Sequence, residues 1–297
     1  MLWMVRSSSS RVSVDSVGLP NEPCSNGRNE ECWSSGFQYI KVHHTCAYHH
    51  LQTLPIDIST DNPTTVTMSG PATKQETTDA LERLKLRLAS ENKDKLPKPS
   101  YAAVVAAAKD LAQRLTQRNV SYYFCGGFAC VYLCQAGRTT ADIDVVAKDN
   151  TNYGSLLDIV GAMTNVIVDR VLSESPLYYH KPSQEFVEMD CLPAGWAGNF
   201  PKFTDKGFGL EQKDSLEFLS SAQLLRLKFK SWGHPVRREN AEKLNGDKMD
   251  ILGLRKYIRF TLKTKVDKSI WEDAEKKALN EWIKQYNDAN DWKEIGL

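Results

Sequence analysis

Residues 122–146, YYFCGGFACVYLCQAGRTTADIDVV, constrain the fold more than any other part of this 297-residue chain. They open on a short apolar run of strand-forming residues, 122–125, and break at Gly126-Gly127. A helix of small and apolar residues follows, from Phe128 to about Gln135. A turn at Gly137 leads into Asp142-Ile143-Asp144-Val145-Val146, where alternation puts both carboxylates on one face of a strand and Ile143 and Val145 on the other. Carboxylates separated by one residue stand roughly 6 to 7 Å apart along a strand, near enough to grip one divalent cation or a pair of them.

The flanking segments supply a frame for this unit. Before it, Asp79 with Glu82 three residues on resembles a capping signal for a helix over 77–90, with Leu81, Leu84 and Leu88 on one face. Residues 93–99 form a charged, Pro-broken linker. Ser100 then suits the N-cap of a helix to Arg118 in which Val104, Ala108, Leu111 and Leu115 recur at helical spacing. After Asp144 the pattern predicts a helix over 153–163, strands over 165–169 and 176–180, and an alternating strand over 184–192 that places Phe186, Glu188 and Asp190 on one face. From Gly195 a Gly/Pro loop gives way to mainly helical sequence. Ser220 or Ser221 suits the cap of a helix with the stripe Ala222, Leu225, Phe229 and Trp232, and Lys228 flanks its buried side. A last helix over 270–286 repeats Trp271, Ala274, Ala278, Trp282 and Tyr286 as core packing.

Strand, Gly-Gly, helix, then a strand ending in Asp-x-Asp is similar to the core of the nucleotidyltransferase superfamily. The resemblance rests on Gly126-Gly127, Ala129 and Arg138-Thr139-Thr140-Ala141-Asp142-Ile143-Asp144, in the family's order and spacing. It implies a mixed sheet flanked by helices, of α/β or α+β class, and a third carboxylate on a later strand. Met189-Asp190-Cys191-Leu192 resembles that element, so Asp190 takes the position, with Glu188 in reserve; a purely structural reading leaves both acids solvating an edge strand. The string Leu224-Leu225-x-x-Lys228, then Arg237, Lys243, Asp247 and Asp250-Ile251-x-x-Leu254, resembles the helical region of nucleotidyltransferases related to the AbiEii toxins.

Composition sets outer limits. With 41% apolar residues the chain supports a sizeable core, and a net charge of +1 gives no support for a broad nucleic-acid-coating surface. Seven cysteines, Cys24, Cys32, Cys46, Cys125, Cys130, Cys134 and Cys191, several of them among apolar neighbours, suit a reducing, cytoplasmic setting. No apolar run reaches membrane-spanning length, so no membrane partner is expected. The first fourteen residues are Ser-rich, carry Arg6 and Arg11 and lack acids, a composition shared by transit peptides and plain tails. Residues 1–75 show no sustained period and read as a disordered tail. Within it His43, His44, Cys46, His49 and His50 lack the paired spacing of a structural zinc site. The expected organisation is a tail over 1–75, a helix and linker over 76–100, a catalytic core over 101–200 and a helical region over 201–297.

The chemistry this implies is transfer of a nucleoside monophosphate from a nucleoside triphosphate to a hydroxyl acceptor, with pyrophosphate leaving. Magnesium, or manganese, calls for oxygen ligands, and Asp142, Asp144 and Asp190 supply them. Gly126 and Gly127 let the backbone approach phosphate at a helix N-terminus, or simply make a tight turn. Arg138 is placed to meet the triphosphate or brace the turn, and Thr140 to ligate or orient Asp142. Lys228 is a second phosphate contact or an ordinary surface lysine, and Lys243 with Asp247 an ordinary helix pair. The acceptor stays open among RNA, protein and a small molecule. The alternative is an idle relative that binds nucleotide or a protein partner through the same cleft.

Overall fold

The protein is described by a computed structural model over residues 70–93, 95–196 and 200–297. Residues 1–69 of the tail expected over 1–75, with the histidine cluster and Cys24, Cys32 and Cys46, lie outside the described residues.

The first helix, α1 (Lys74–Ser90), begins earlier than expected because Thr73 and Glu76 form a reciprocal capping box, each side chain bonding the other's backbone N–H. The expected boundary near residue 76 therefore falls inside a helix. Asp79 and Glu82 instead accept hydrogen bonds from Gln75 and Lys85 on the helix surface. Helix α2 (Tyr101–Gln117) is capped by Ser100, whose hydroxyl accepts from the Ala103 N–H, and it buries Val104, Ala108, Leu111 and Leu115.

Seven strands make one mixed sheet. They are β1 (Tyr122–Cys125), β2 (Asp142–Ala147), β3 (Val166–Ile167), β4 (Leu177–His180), β5 (Glu185–Pro193), β6 (Leu210–Lys213) and β7 (Leu216–Leu219), in the order β3-β4-β5-β2-β1-β7-β6. Strand β2 lies antiparallel to β1 and parallel to β5, and β1 runs parallel to β7. Helix α3 (Gly126–Cys134) springs from the end of β1, and α4 (Asn150–Ala162), capped by Asp149, follows β2. Helices α2 and α4 pack on the sheet, while α3 touches both β2 and the later helix α7 (Ala241–Lys256).

The hairpin β6–β7 was not expected within a region read as helical. Its two-residue loop, Asp214-Ser215, has both φ angles positive, 50° and 65°, the geometry that matches strand twist but is usually signalled by Asn-Gly or Asp-Gly. Ser215→Gly is expected to stabilise the chain by about 0.5 kcal/mol by relieving left-handed strain. A lowered Tm by scanning calorimetry would contradict that reading of the turn.

Beyond the hairpin come α5 (Ser221–Trp232), the short α6 (Pro235–Arg238), α7 and a π-helical turn (Tyr257–Leu262). Ser220 precedes α5 without a side-chain cap. Glu211 of β6 serves instead, accepting from the Ser221 N–H at 2.5 Å and hydroxyl at 2.9 Å. The expected last helix divides into a tight turn (Lys268–Ile270), α8 (Asp273–Tyr286) and α9 (Ala289–Lys293). Trp271, Ala278 and Trp282 are buried as core, with Phe229 packed against both indoles, but Ala274 is exposed; the neighbouring Glu275 is buried and receives the Arg226 guanidinium at 3.0 Å. No helix among the described residues is long and apolar enough to cross a membrane.

Candidate active site

Strand register brings the acids together. Asp144 on β2 lies directly beside Asp190 on β5, and Asp142 beside Glu188, so all four project from one face of two adjacent parallel strands. Ile143, Val145 and Met189, on the other face, are wholly buried and hold that orientation. Strand β5 is internal, between β4 and β2, which removes the edge-strand reading of Asp190. Asp142, Asp144 and Asp190 line a cleft of about 1100 Å³; Glu188 is not among its lining residues. Ser175, which carried no sequence signal, donates its hydroxyl to Asp190.

The double glycine has a task beyond phosphate approach. Gly126 has φ +64°, and a Cβ there would stand 1.7 Å from Asp144 Oδ2. The Gly127 N–H lies near the same carboxylate and favours its charged form. A Cβ on Gly127 would meet Arg138 Nη2 and Thr140 Oγ1, each at 2.8 Å. The bend is therefore side-chain-free first because Asp144, Arg138 and Thr140 occupy that space.

Like charges at close quarters raise the acids. Burial, then Asp142 and Asp190, push the half-buried Asp144 up to about 7, against the opposing pull of Lys228 and the Gly127 N–H. Burial likewise raises Asp190, with Ser175 opposing and Asp142 adding. A raised carboxylate favours the protonated folded state, so its contribution to stability is present below about pH 4 and lost as pH climbs through about 7. The metal-free protein is thus expected to lose Tm between about pH 4 and 7. Asp144→Asn should remove part of that slope, on the order of 1 to 2 kcal/mol after allowing for solvent screening. Identical slopes in both proteins would contradict this electrostatic picture.

The same cleft is lined by cations. Lys228, expected beside the buried stripe with its head available to phosphate, is 8% exposed, its ammonium 3.1 Å from Asp247 and 2.9 Å from Asp250. Burial alone would lower its pKa, but Asp250 foremost, and Asp247, hold it well above the usual lysine range. Arg138 forks onto Asp250, Nε to Oδ1 at 2.7 Å and Nη2 to Oδ2 at 2.6 Å, so it braces the turn while still lining the cleft. Asp247 accepts from Arg237 and Ser231 as well, at 3.0 and 2.8 Å, which replaces the expected surface pairing with Lys243. Thr140 donates to Asp142 Oδ1 at 2.7 Å, the orienting contact anticipated for it. The sequence reading missed the depth of this cluster, in which three cations, Arg138 before β2, Lys228 on α5 and Arg237 on α6, meet two carboxylates of α7.

The acid face suits a divalent cation: oxygen ligands only, mutually repelling, beside a wall that can balance phosphate. Among the described residues no three Asp, Glu, His or Cys side chains are gathered tightly enough to hold a metal unaided. The four described cysteines, Cys125, Cys130, Cys134 and Cys191, are free thiols; burial raises each of them, so none is primed as a nucleophile.

No protein-family model and no curated protein matches the chain. Among solved structures, an antigenic nucleotidyltransferase-like protein from Paracoccidioides brasiliensis superposes with a TM-score of 0.53 and 17% identity, over 67% of this chain and 95% of its own. The fold is thus of nucleotidyltransferase type. Two structures of the antibiotic-resistance factor ANT(2'')-Ia, one in complex with adenylyl-2''-tobramycin, overlap at TM-scores of 0.34 and 0.35 with 12% and 14% identity. They cover 64% and 62% of this chain and 97% and 99% of their own, a likeness too slight to carry weight.

Proposed function

We propose that this protein is a metal-dependent nucleotidyltransferase, moving a nucleoside monophosphate from a nucleoside triphosphate to a hydroxyl acceptor and releasing pyrophosphate. The observation that carries the reading is the register that sets Asp144 beside Asp190, with Asp142 two residues away on the same face, in a cleft that Lys228 and Arg138 also line. Magnesium or manganese held by Asp142, Asp144 and Asp190 would supply the charge that makes the hydroxyl nucleophilic and neutralises the pyrophosphate.

The chain's own residues do the rest. The acceptor oxygen bonds to the alpha phosphorus as the bond to the pyrophosphate oxygen breaks, and Asp190, steadied by Ser175, is placed to take the hydroxyl proton. Thr140 fixes the rotamer of Asp142. Arg138 uses three of its N–H groups on Asp250 and the Thr139 carbonyl, which leaves two for phosphate oxygens. Lys228 keeps its charge and contributes field as a fixed cation beside the departing phosphates. The Leu224-Leu225-x-x-Lys228 and Asp250-Ile251-x-x-Leu254 strings meet in this cluster, which supports placing the chain near the AbiEii-type group.

The idle relative is the second reading, and nucleotide binding separates the two. Calorimetric titration with each triphosphate, with and without magnesium, is expected to give binding that strengthens at least tenfold with the metal. Binding indifferent to metal would favour the idle module and sink the enzymatic one.

A further inference from the structure

The acid face depends on a helix far away in sequence. Asp250 on α7 is 0% exposed, and its two oxygens take three charge-assisted contacts: the Arg138 fork and the Lys228 ammonium. Arg138 lies 112 residues before Asp250 and begins the short turn that feeds β2. From the same guanidinium, Nη1 donates to the Thr139 carbonyl at 3.1 Å, and the next residue, Thr140, donates to Asp142. Arg138 and Thr140 also rest together on the bare face of Gly127. Thr140 is itself buried at 4% exposure, so the turn has no slack to re-aim its hydroxyl without moving the guanidinium.

We infer that Asp250 is a positioning residue for the metal-binding acids: it fixes Arg138, Arg138 fixes the turn at 138–141, and the turn fixes Asp142 through Thr140. The helical region is then part of the catalytic apparatus. This rests on the metal-binding reading of Asp142 and its neighbours, but its structural half does not.

Sign separates positioning from simple charge. Asp250→Asn removes a negative charge, so Coulomb attraction alone would weaken a bound cation. Arg138→Gln removes a positive charge and by the same logic would strengthen it. Positioning demands that both weaken it, and that the double variant be no worse than either single one. Asp247→Asn is the control for charge and for the shared Lys228, which Asp247 holds as Asp250 does, without a bond to Arg138 or the turn.

The test uses the full chain and two readouts. The first is affinity for Mn²⁺ alone, by electron paramagnetic resonance. The second is hydrogen exchange of residues 136–146 in metal-free protein, at equal distance below each variant's Tm. Asp250→Asn and Arg138→Gln are each expected to weaken Mn²⁺ at least fivefold and to speed exchange of the turn about tenfold; Asp247→Asn should change either by no more than about twofold. Tighter Mn²⁺ in Arg138→Gln, or turn exchange as in the unsubstituted protein in both variants, overturns the inference. Should Asp250→Asn fail to fold, Arg138→Lys decides: it keeps the charge, loses the fork, and must also show faster turn exchange. Absence of Mn²⁺ binding in the unsubstituted protein would count against the metal-dependent function, while the exchange result still judges the role of Asp250.

Discussion

Alanine at Asp142 or at Asp144 is expected to abolish magnesium-dependent transfer from a labelled triphosphate, a fall in turnover of at least about 1000-fold, with the fold intact. The size follows from what is lost. The two carboxylates sit on one face of β2, and in-line displacement at phosphorus leans on cations far more than on any protein nucleophile. Stability should move the other way. Asp144 is held near neutrality in the folded state by burial and by Asp142 and Asp190, so removing its charge relieves repulsion and should leave Tm unchanged or higher at about pH 8. A variant that loses activity only because it loses its fold, or one that retains full turnover, would each refute the assignment, and circular dichroism with a turnover assay separates the cases.

Gly126→Ala should be nearly as damaging, and for two additive physical reasons. The position has φ +64°, which costs an alanine about 1 kcal/mol, and its methyl group would stand 1.7 Å from Asp144 Oδ2. The carboxylate cannot stay, because Oδ2 and Cγ of Asp144 both fall within 3 Å of the new methyl while the register against Asp190 holds the backbone in place. A displaced Asp144 is expected to cost at least about 100-fold in turnover, alongside a Tm lower by several degrees. Gly127→Ala meets Arg138 Nη2 and Thr140 Oγ1 at 2.8 Å, a milder overlap than at Gly126 and without a positive φ, so a smaller loss is expected there. Equal and mild effects at both positions would mean that the bend has more room than its contacts indicate.

Much of this site could be read along the chain because it is local. Asp142 and Asp144 fall on one face by the two-residue period of a strand, and the glycine pair interrupts an apolar run where a helix must start; neither needs a distant partner. Asp190 was reachable because β5 also alternates cleanly, though Glu188 shares its face and only the shape of the cleft separates the two. The fate of Lys228 was not legible. Helical spacing puts its stem beside Leu225 and Phe229, but whether its head meets water or acids depends on how α7 folds back on α5 after α6, which spacing along α5 does not report. The same holds for Arg138 and Asp250. The hairpin at Asp214-Ser215 was hidden for a different reason: its turn adopts a left-handed geometry without the glycine that usually marks one.

One incubation bears on all of this: the full chain with each alpha-labelled nucleoside triphosphate, magnesium and a cell extract, run beside the Asp142→Ala/Asp144→Ala double variant. We expect label to pass to an acceptor with release of unlabelled pyrophosphate, for at least one triphosphate, in the unsubstituted protein alone. Label transfer that is absent with every triphosphate, or equal in the two proteins, would contradict nucleotidyl transfer by these acids.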